Sequence, residues 1–293
     1  MKAPADDELL AVVGPTASGK TGLAVHLAER FGGEIIGADS VQVYRHFDIG
    51  SGKPTAEERA RARHHLVDAF DPLDVLDAAR FVDRADAAIA EVRSRGRVPI
   101  LCGGTFLWVK ALLFGLAPSA PADPALREQH RRIAESEGRE VLHERLARVD
   151  PESAARLAKN DLVRVSRALE VFELTGKPQS EWHAEHQFRT VRYRARLYGI
   201  DRPRDELDQL IAERTARWLA AGWIDEVVSL IDRGYDSARP MRSVGYRQVH
   251  DHVRGLLPLD ELHDAVVRAT RTFVRRQRTW LRDEPVTWLP APP

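Results

Sequence analysis

Cysteine is almost absent from this chain. Cys102 is the only one and sits in an apolar run, so there is no internal disulfide and no cysteine-built zinc site. A surplus of either charge is also missing, because 44 basic residues face 44 acidic ones. That balance excludes a wholly basic nucleic-acid binder and confines any such surface to a local patch. No apolar run approaches transmembrane length, and residues 1–8 (MKAPADDE) lack an apolar signal region. A soluble, cytoplasmic protein with no membrane partner is therefore expected. Internal repeats and low-complexity tracts are lacking too. What is there is 293 residues of 43% hydrophobic content, enough for one large domain or two smaller ones.

The most informative stretch is Gly14-Pro15-Thr16-Ala17-Ser18-Gly19-Lys20-Thr21, which fits the phosphate-cradling pattern G-x-x-x-x-G-K-[ST]. Its flanks suit the pattern. Leu9 to Val13 reads as a buried strand and Gly22 to Arg30 as a helix. The glycines let the backbone wrap an anion, and the amides of Ser18, Gly19 and Lys20 can point at its oxygens. Lys20 supplies a point charge and Thr21 a hydroxyl for Mg²⁺. The loop predicts a diphosphate or triphosphate ligand without naming its carrier.

Further along, Glu34 to Ala38 reads as a second strand and Val98 to Cys102 as a third, with an amphipathic helix over 78–95 between them. The second strand ends in Asp39-Ser40-Val41-Gln42-Val43-Tyr44 and the third in Gly103-Gly104-Thr105. In parallel α/β sheets ligands sit at the carboxyl ends of strands, so the phosphate loop, Asp39 and Thr105 can converge on one site. Asp39 has a structural reading of equal weight, as a helix cap or turn former. The adjacent His64 and His65 point to opposite faces of a strand end and read as structural.

Residues 117–124 (APSAPADP) mark a boundary, and from 125 to about 187 the pattern is helical only. Strand character returns at Arg194 to Ile200. The expected architecture is a phosphate-loop α/β core over 1–118 and 192–293, a parallel sheet flanked by helices, with an all-helical insertion domain over 119–191. Within the insertion, a helix capped by Asn160 or Asp161 runs to Gly176, with Leu162, Val165, Leu169 and Phe172 on one face and Arg164 and Arg167 on the other. Helices follow at about 204–221 and 223–233, then Met241 to Gln248 as a short loop, then a last helix over 259–282. That helix carries Arg268, Arg271, Arg275, Arg278 and Arg282 in one stripe, which suits an anionic partner. Val266, Phe273, Trp280 and Leu281 gather on the opposite side, which is expected to be core.

These motifs, in this order, resemble the tRNA dimethylallyltransferase (tRNA isopentenyltransferase) family, and the resemblance runs from about residue 9 to 289. It rests on GPTASGKT at 14–21, DSVQVY at 39–44, IGSGKP at 49–54 and HHLVD at 64–68. It rests also on Gly103-Gly104-Thr105, Asp150-Pro151, NDLVRVSRALE at 160–170, TGKP at 175–178, SVGYR at 243–247 and TRTFVRRQRTW at 270–280. The phosphate loop alone is a weak signal, whereas the ordered set is specific. Two departures stand out. Trp108 occupies the family's usual tyrosine position after G-G-T, and Leu157-Ala158-Lys159 replaces its common Ile-His-Pro.

The resemblance implies transfer of a dimethylallyl group from dimethylallyl diphosphate to N6 of the adenosine 3′ of the anticodon, in tRNAs reading U-starting codons. It implies Asp39 as general base and Thr105 as an aligning hydroxyl, both also touching the tRNA, with Gly14 to Thr21 holding diphosphate and Thr21 holding Mg²⁺. Contacts to the tRNA anticodon stem-loop are implied for Ser40, Val41, Gln42, Arg127, Val163, Arg164, Val165, Ser166, Arg167, Arg242, Ser243, Val244, Gly245, Tyr246 and Arg247. Arg271, Arg275 and Arg278 are left between donor diphosphate and tRNA phosphate, and a monomer is expected. Three rival readings stay open: a phosphate-loop small-molecule kinase, a non-catalytic RNA-binding ATPase, and a prenyltransferase acting on free adenine nucleotides.

Overall fold

The computed structural model describes residues 2–291, so the extreme ends of the expected core range lie outside the described residues. By internal contacts the chain divides into two compact units, Met1–Leu113 with Arg192–Pro293, and Phe114–Val191.

The first unit is built on a six-stranded parallel sheet of order β3-β2-β4-β1-β5-β6. Its strands are β1 (Glu8–Val13), β2 (Gly33–Gly37), β3 (His64–His65), β4 (Val98–Gly103), β5 (Arg194–Asp201) and β6 (Val286–Pro290). The central strand β1 is apolar without alternation because helices cover both faces, and Leu9 to Val13 are all buried. It pairs Leu10 with Ile100 of β4 on one side and Ala11 with Leu197 of β5 on the other. The helices of this unit are α1 (Lys20–Phe31), α2 (Ala56–Arg61), α3 (Ala78–Ser94) and α4 (Phe106–Phe114) in its first segment. Those of the second segment, numbered after the five in the other unit, are α10 (Arg204–Ala220), α11 (Trp223–Asp232), α12 (Tyr246–Val253) and α13 (Leu259–Leu281). One side of the core packs Leu10, Val12, Ala24, Leu27, Ile35, Ile100 and Tyr198 together.

The second unit is helical throughout: α5 (Pro124–Ser136), α6 (Arg139–Val149), α7 (Pro151–Arg156), α8 (Leu162–Thr175) and α9 (Gln179–His186). Leu142, Leu146, Ala154, Val165, Ala168 and Leu169 form its core. Asp161 caps α8 by accepting from the Arg164 amide, and Gly176 ends it at φ 70°. The unit begins at Phe114, earlier than the expected 119, and takes in the Pro/Ala-rich stretch. The reason is local: the Asp123 amide donates to Glu170 at 2.6 Å, and Arg167 donates to Ser119 Oγ and the Ala120 carbonyl.

Two sequence expectations need correction. Met241 to Gln248 is not one loop: Arg239–Arg242 forms a 3₁₀ turn and α12 begins at Tyr246, its first amide bonds secured where Gln248 accepts from the Gly245 amide. The buried face of α13 is also rotated from the expected one. Leu262, Val266, Val267, Thr270, Val274, Gln277 and Leu281 are buried, whereas Phe273 is only partly covered and Trp280 is 50% exposed. The apolar pattern misled because two core positions, Thr270 and Gln277, carry polar side chains. At Gln277 the neighbouring surface is polar backbone.

Candidate active site

The chemistry gathers at the carboxyl ends of β1, β4 and β2. After β1 the chain enters the phosphate loop. Ala17 adopts φ 67° and Gly19 φ 95°, which turns successive amides inward before α1 begins at Lys20. Lys20 folds back so that its Nζ donates to the Pro15 carbonyl at 2.8 Å. Burial pushes Lys20 below the ordinary lysine range, against the attraction of Cys102 and Asp39. A bound diphosphate would favour its charged form. Ser18 Oγ is buried in the loop without a hydrogen-bond partner. An unpaired buried hydroxyl costs about 1–3 kcal/mol, and an anion in the cradle would satisfy it. Burial also pushes the Cys102 thiol up to about 12, so it is no nucleophile.

Asp39 follows β2 and forms the turn of its structural reading. Its Oδ1 accepts from the amides of Val41 (2.9 Å) and Gln42 (3.3 Å), forming the turn, while Oδ2 is left without a protein partner among the described residues. Thr105 follows β4 and is locked to that turn. Its Oγ1 accepts from the Ser40 amide at 3.0 Å, and its amide donates to the Ala38 carbonyl at 3.2 Å. The approach is close enough that a Cβ on Gly103 would lie 2.0 Å from the Ala38 oxygen. A Cβ on Gly104 would lie 3.8 Å from both Lys20 Nζ and the Gly14 carbonyl, so the Gly-Gly-Thr turn packs over the phosphate loop. The three strand ends therefore do meet.

Gln42 spends both amide hydrogens on the Ser51 and Gly52 carbonyls (3.2 and 2.8 Å). The loop carrying those carbonyls is held in turn by Glu226, which accepts from the amides of Asp48 (3.0 Å) and Ile49 (2.7 Å) and from Tyr246 Oη (2.6 Å). Tyr246 itself is fully buried against Trp223, with its hydroxyl pKa pushed well up by burial and the Glu226 carboxylate. It supports the site and offers no surface. Gly245 is buried beside it and Ser243 Oγ is buried without a partner, while Arg242, Val244 and Arg247 are exposed.

Two residues of the site escaped the sequence reading. Arg214 on α10 stacks over Trp218 at 4.4 Å, and burial pushes its guanidinium down to about 10, with Arg217 adding to the shift and Asp39 opposing it. It lies within electrostatic reach of both Asp39 and Lys20. Gln277 on α13 accepts from the Thr16 amide at 2.9 Å and donates to the Gly104 carbonyl at 3.0 Å. Arg214 sits in none of the motifs, and Gln277, although inside TRTFVRRQRTW, reads there only as a helix position among arginines.

The arginine stripe borders a cavity of about 540 Å³ that reaches Pro15 of the phosphate loop, with Arg271, Arg275, Arg278 and Arg282 in its wall. Arg271 lies 3.2 Å from Asp208, and Arg278 donates to the Arg202 carbonyl, while the Arg275 side chain has no protein partner among the described residues.

In the helical unit, Glu170 is fully buried and grips Arg127 through two contacts of 2.9 Å and Arg167 at 2.6 Å. Among the described residues Arg164 pairs only with Asp161, and it stays 68% exposed, while Val163 is 80% exposed. Val165 and Ser166 are buried, Ser166 Oγ meeting His130 at 2.9 Å, so their side chains belong to the core and not to a contact surface. Trp108 is likewise core: it is 5% exposed and stacks on Phe81 at 4.5 Å.

The sequence model of the IPP transferase family matches residues 42–284. The chain belongs to the IPP transferase family. A tRNA dimethylallyltransferase of Sorangium cellulosum is 66% identical over 99% of this chain and 92% of its own. Among solved structures, the tRNA isopentenylpyrophosphate transferase of Bacillus halodurans superposes with a TM-score of 0.72 at 38% identity, covering 97% of this chain and 90% of that one. A eukaryotic dimethylallyltransferase acting on tRNA superposes at 0.81 with 25% identity, covering 97% of this chain and 74% of that one. The parallel sheet flanked by helices is thus the family's own, and the likeness extends through both units. Among the described residues no helix is long and apolar enough to cross a membrane.

Proposed function

We propose that this chain transfers the dimethylallyl group of dimethylallyl diphosphate to N6 of the adenosine 3′ of the anticodon, in tRNAs reading U-starting codons, and releases diphosphate. The observation that carries the reading is the meeting of a carboxylate with a free oxygen, Asp39 Oδ2, and an anion cradle across one Gly-Gly-Thr turn.

The amine lone pair attacks C1 of the dimethylallyl group as the C1–O bond breaks, and the electron pair leaves on diphosphate. Ser18, Gly19, Lys20 and Thr21 stabilise the charge that grows on the leaving group, and Arg214 adds a cation beside them. The N6 proton becomes acidic during attack, and Asp39 Oδ2 takes it. Thr105, fixed to the Ser40 amide, holds the acceptor turn in line with the donor. The protein supplies few metal ligands: among the described residues no three acidic, histidine or cysteine side chains cluster to hold an ion. That suits Mg²⁺, which takes one or two protein ligands and completes its shell from phosphate oxygens and water. Thr21 is the residue that would hold it, and the ion supplies neutralisation of diphosphate charge when bound.

Both units contribute to tRNA binding in this reading. The adenosine leaves the anticodon stack at a cost of a few kcal/mol, and Ser40, Val41 and Gln42 border its pocket. With its amide hydrogens spent, Gln42 presents an acceptor only, which suits an amine edge. Arg164 and the pair Arg127 and Arg167 of the helical unit, with Arg242 and Arg247, supply phosphate contacts. The test is diphosphate release measured with purified protein, Mg²⁺, unmodified tRNA and dimethylallyl diphosphate. Release that needs both substrates is expected. ATP consumption without a prenyl donor would instead assign the phosphate loop to a kinase or ATPase.

A further inference from the structure

We infer that Gln277 is a positioning residue: its carboxamide clamps the phosphate loop to the Gly103–Thr105 turn, which in turn holds Asp39, and sets the distance between leaving group and nucleophile. The inference rests on the transferase reading above.

Gln277 sits on α13, 6% exposed, at a position where helix periodicity calls for an apolar side chain. Its two polar ends are used on opposite partners. Oε1 accepts from the Thr16 amide, inside the loop that would hold diphosphate, at 2.9 Å. Nε2 donates to the carbonyl of Gly104, one residue before Thr105, at 3.0 Å. Beyond the end of the β1–β4 ladder, where Val13 pairs with Gly103, no other side-chain hydrogen bond among the described residues joins residues 14–21 to residues 103–105. Gly104 leaves the room this needs, since a Cβ there would lie 2.6 Å from Nε2. Leucine of similar length at this position would leave a half-buried amide and a half-buried carbonyl without this partner. The chain tolerates the polar core position because both of its polar ends are paired there.

The same helix steadies the loop a second way. Arg278 donates to the Arg202 carbonyl at 2.9 Å, and Arg202 Nε donates to the Ser18 carbonyl at 3.2 Å. That route reaches only the phosphate loop. Gln277 alone reaches both partners, so its removal should change their separation and leave each substrate's own contacts in place. Errors of about 1 Å in such placement cost around 100-fold in rate.

The test compares Gln277→Leu and Gln277→Glu with wild type by kcat, by KM for tRNA and for dimethylallyl diphosphate, and by melting temperature, between pH 6 and 8. Gln277→Leu should lose on the order of 100-fold in kcat, with both KM values within about threefold. Gln277→Glu carries a discriminating signature. As a carboxylate it sets two acceptors against each other at Gly104. As a protonated acid it restores donor and acceptor together; burial raises its pKa, against the pull of the Lys20 ammonium that also borders Gly104. Its kcat relative to wild type should therefore climb as pH falls, while the ratio for Gln277→Leu stays flat. Wild-type kcat in both variants, a loss confined to KM, or a melting-temperature drop with no pH-dependent rescue would each overturn the inference. If the wild-type chain transfers no prenyl group, the transferase reading fails, and the clamp is judged by amide exchange at Thr16. Faster exchange in Gln277→Leu supports the clamp, and unchanged exchange rejects it.

Discussion

Replacing Gly103 by alanine should separate the two halves of the site without touching a charged or catalytic group. The added methyl would lie 2.0 Å from the Ala38 carbonyl oxygen, 2.4 Å from its carbon and 2.8 Å from its Cα. The obstacle is backbone, so no rotamer relieves it. Carbon contacts settle at about 3.5 Å, so the ends of β2 and β4 must part by at least about 1 Å. Two hydrogen bonds span that gap, Ala38 amide to Cys102 carbonyl at 2.8 Å and Thr105 amide to Ala38 carbonyl at 3.2 Å. Stretching them and overpacking the junction should cost about 2–3 kcal/mol of stability. Asp39 would withdraw from Thr105 by a similar distance, and a displacement of that size costs about 100-fold in kcat. Initial-rate prenyl transfer at saturating substrates, with a circular-dichroism melt on the same samples, reads both effects. A variant with wild-type kcat and an unchanged melt would refute the reasoning, because the strand ends would then not need their present spacing.

Three further outcomes follow from the site and its frame. Asp39→Ala should abolish transfer with tRNA affinity within about threefold, as expected for loss of a general base; wild-type turnover by that variant would remove Asp39 from the role. Arg164→Ala should weaken tRNA binding by about 1 kcal/mol at low salt and converge on wild type as salt rises, measured by filter binding across a salt series; equal affinity at low salt would leave Arg164 a solvated residue. The Arg95 guanidinium beside Glu34, joined by His65 and opposed by burial, holds that carboxyl at about 2 against an ordinary 4.5. A depressed pKa stabilises the fold above pH 4.5 and loses that contribution as pH falls toward 2. Glu34→Gln should therefore cost up to about 3 kcal/mol in urea unfolding at pH 7 and distinctly less at pH 3; parallel stability profiles for the two proteins would contradict the ion pair's role.

The elements that announced themselves in the sequence are those whose chemistry is local. The phosphate loop is written in glycines that must adopt positive φ and in a lysine that opens a helix. The strand ends bearing Asp39 and Thr105 followed from apolar runs closed by turn residues, and the parallel-sheet rule brought them to one edge. What stayed hidden depends on partners far away in the chain. Gln277 and Arg214 look like ordinary helix residues until α13 and α10 dock against the phosphate loop. Tyr246 and Arg167 show the converse. The resemblance implied nucleic-acid contact for both. Tyr246 is wholly buried on Glu226, and Arg167 is set in place by the buried Glu170, an acid three residues on whose burial no local pattern reveals. Periodicity failed on α13 for a related reason, since its core face must meet polar backbone as well as apolar side chains.

If the phosphate loop holds a prenyl diphosphate while Asp39 activates an adenine amine, nucleoside mass analysis decides it: unmodified tRNA reading U-starting codons is incubated with the protein, dimethylallyl diphosphate and Mg²⁺. A five-carbon isoprenoid gain is expected on the adenosine 3′ of the anticodon, absent with Asp39→Ala. Unmodified tRNA with the gain on free AMP or ADP would contradict the assigned acceptor, and no prenylation of either would contradict the assigned chemistry.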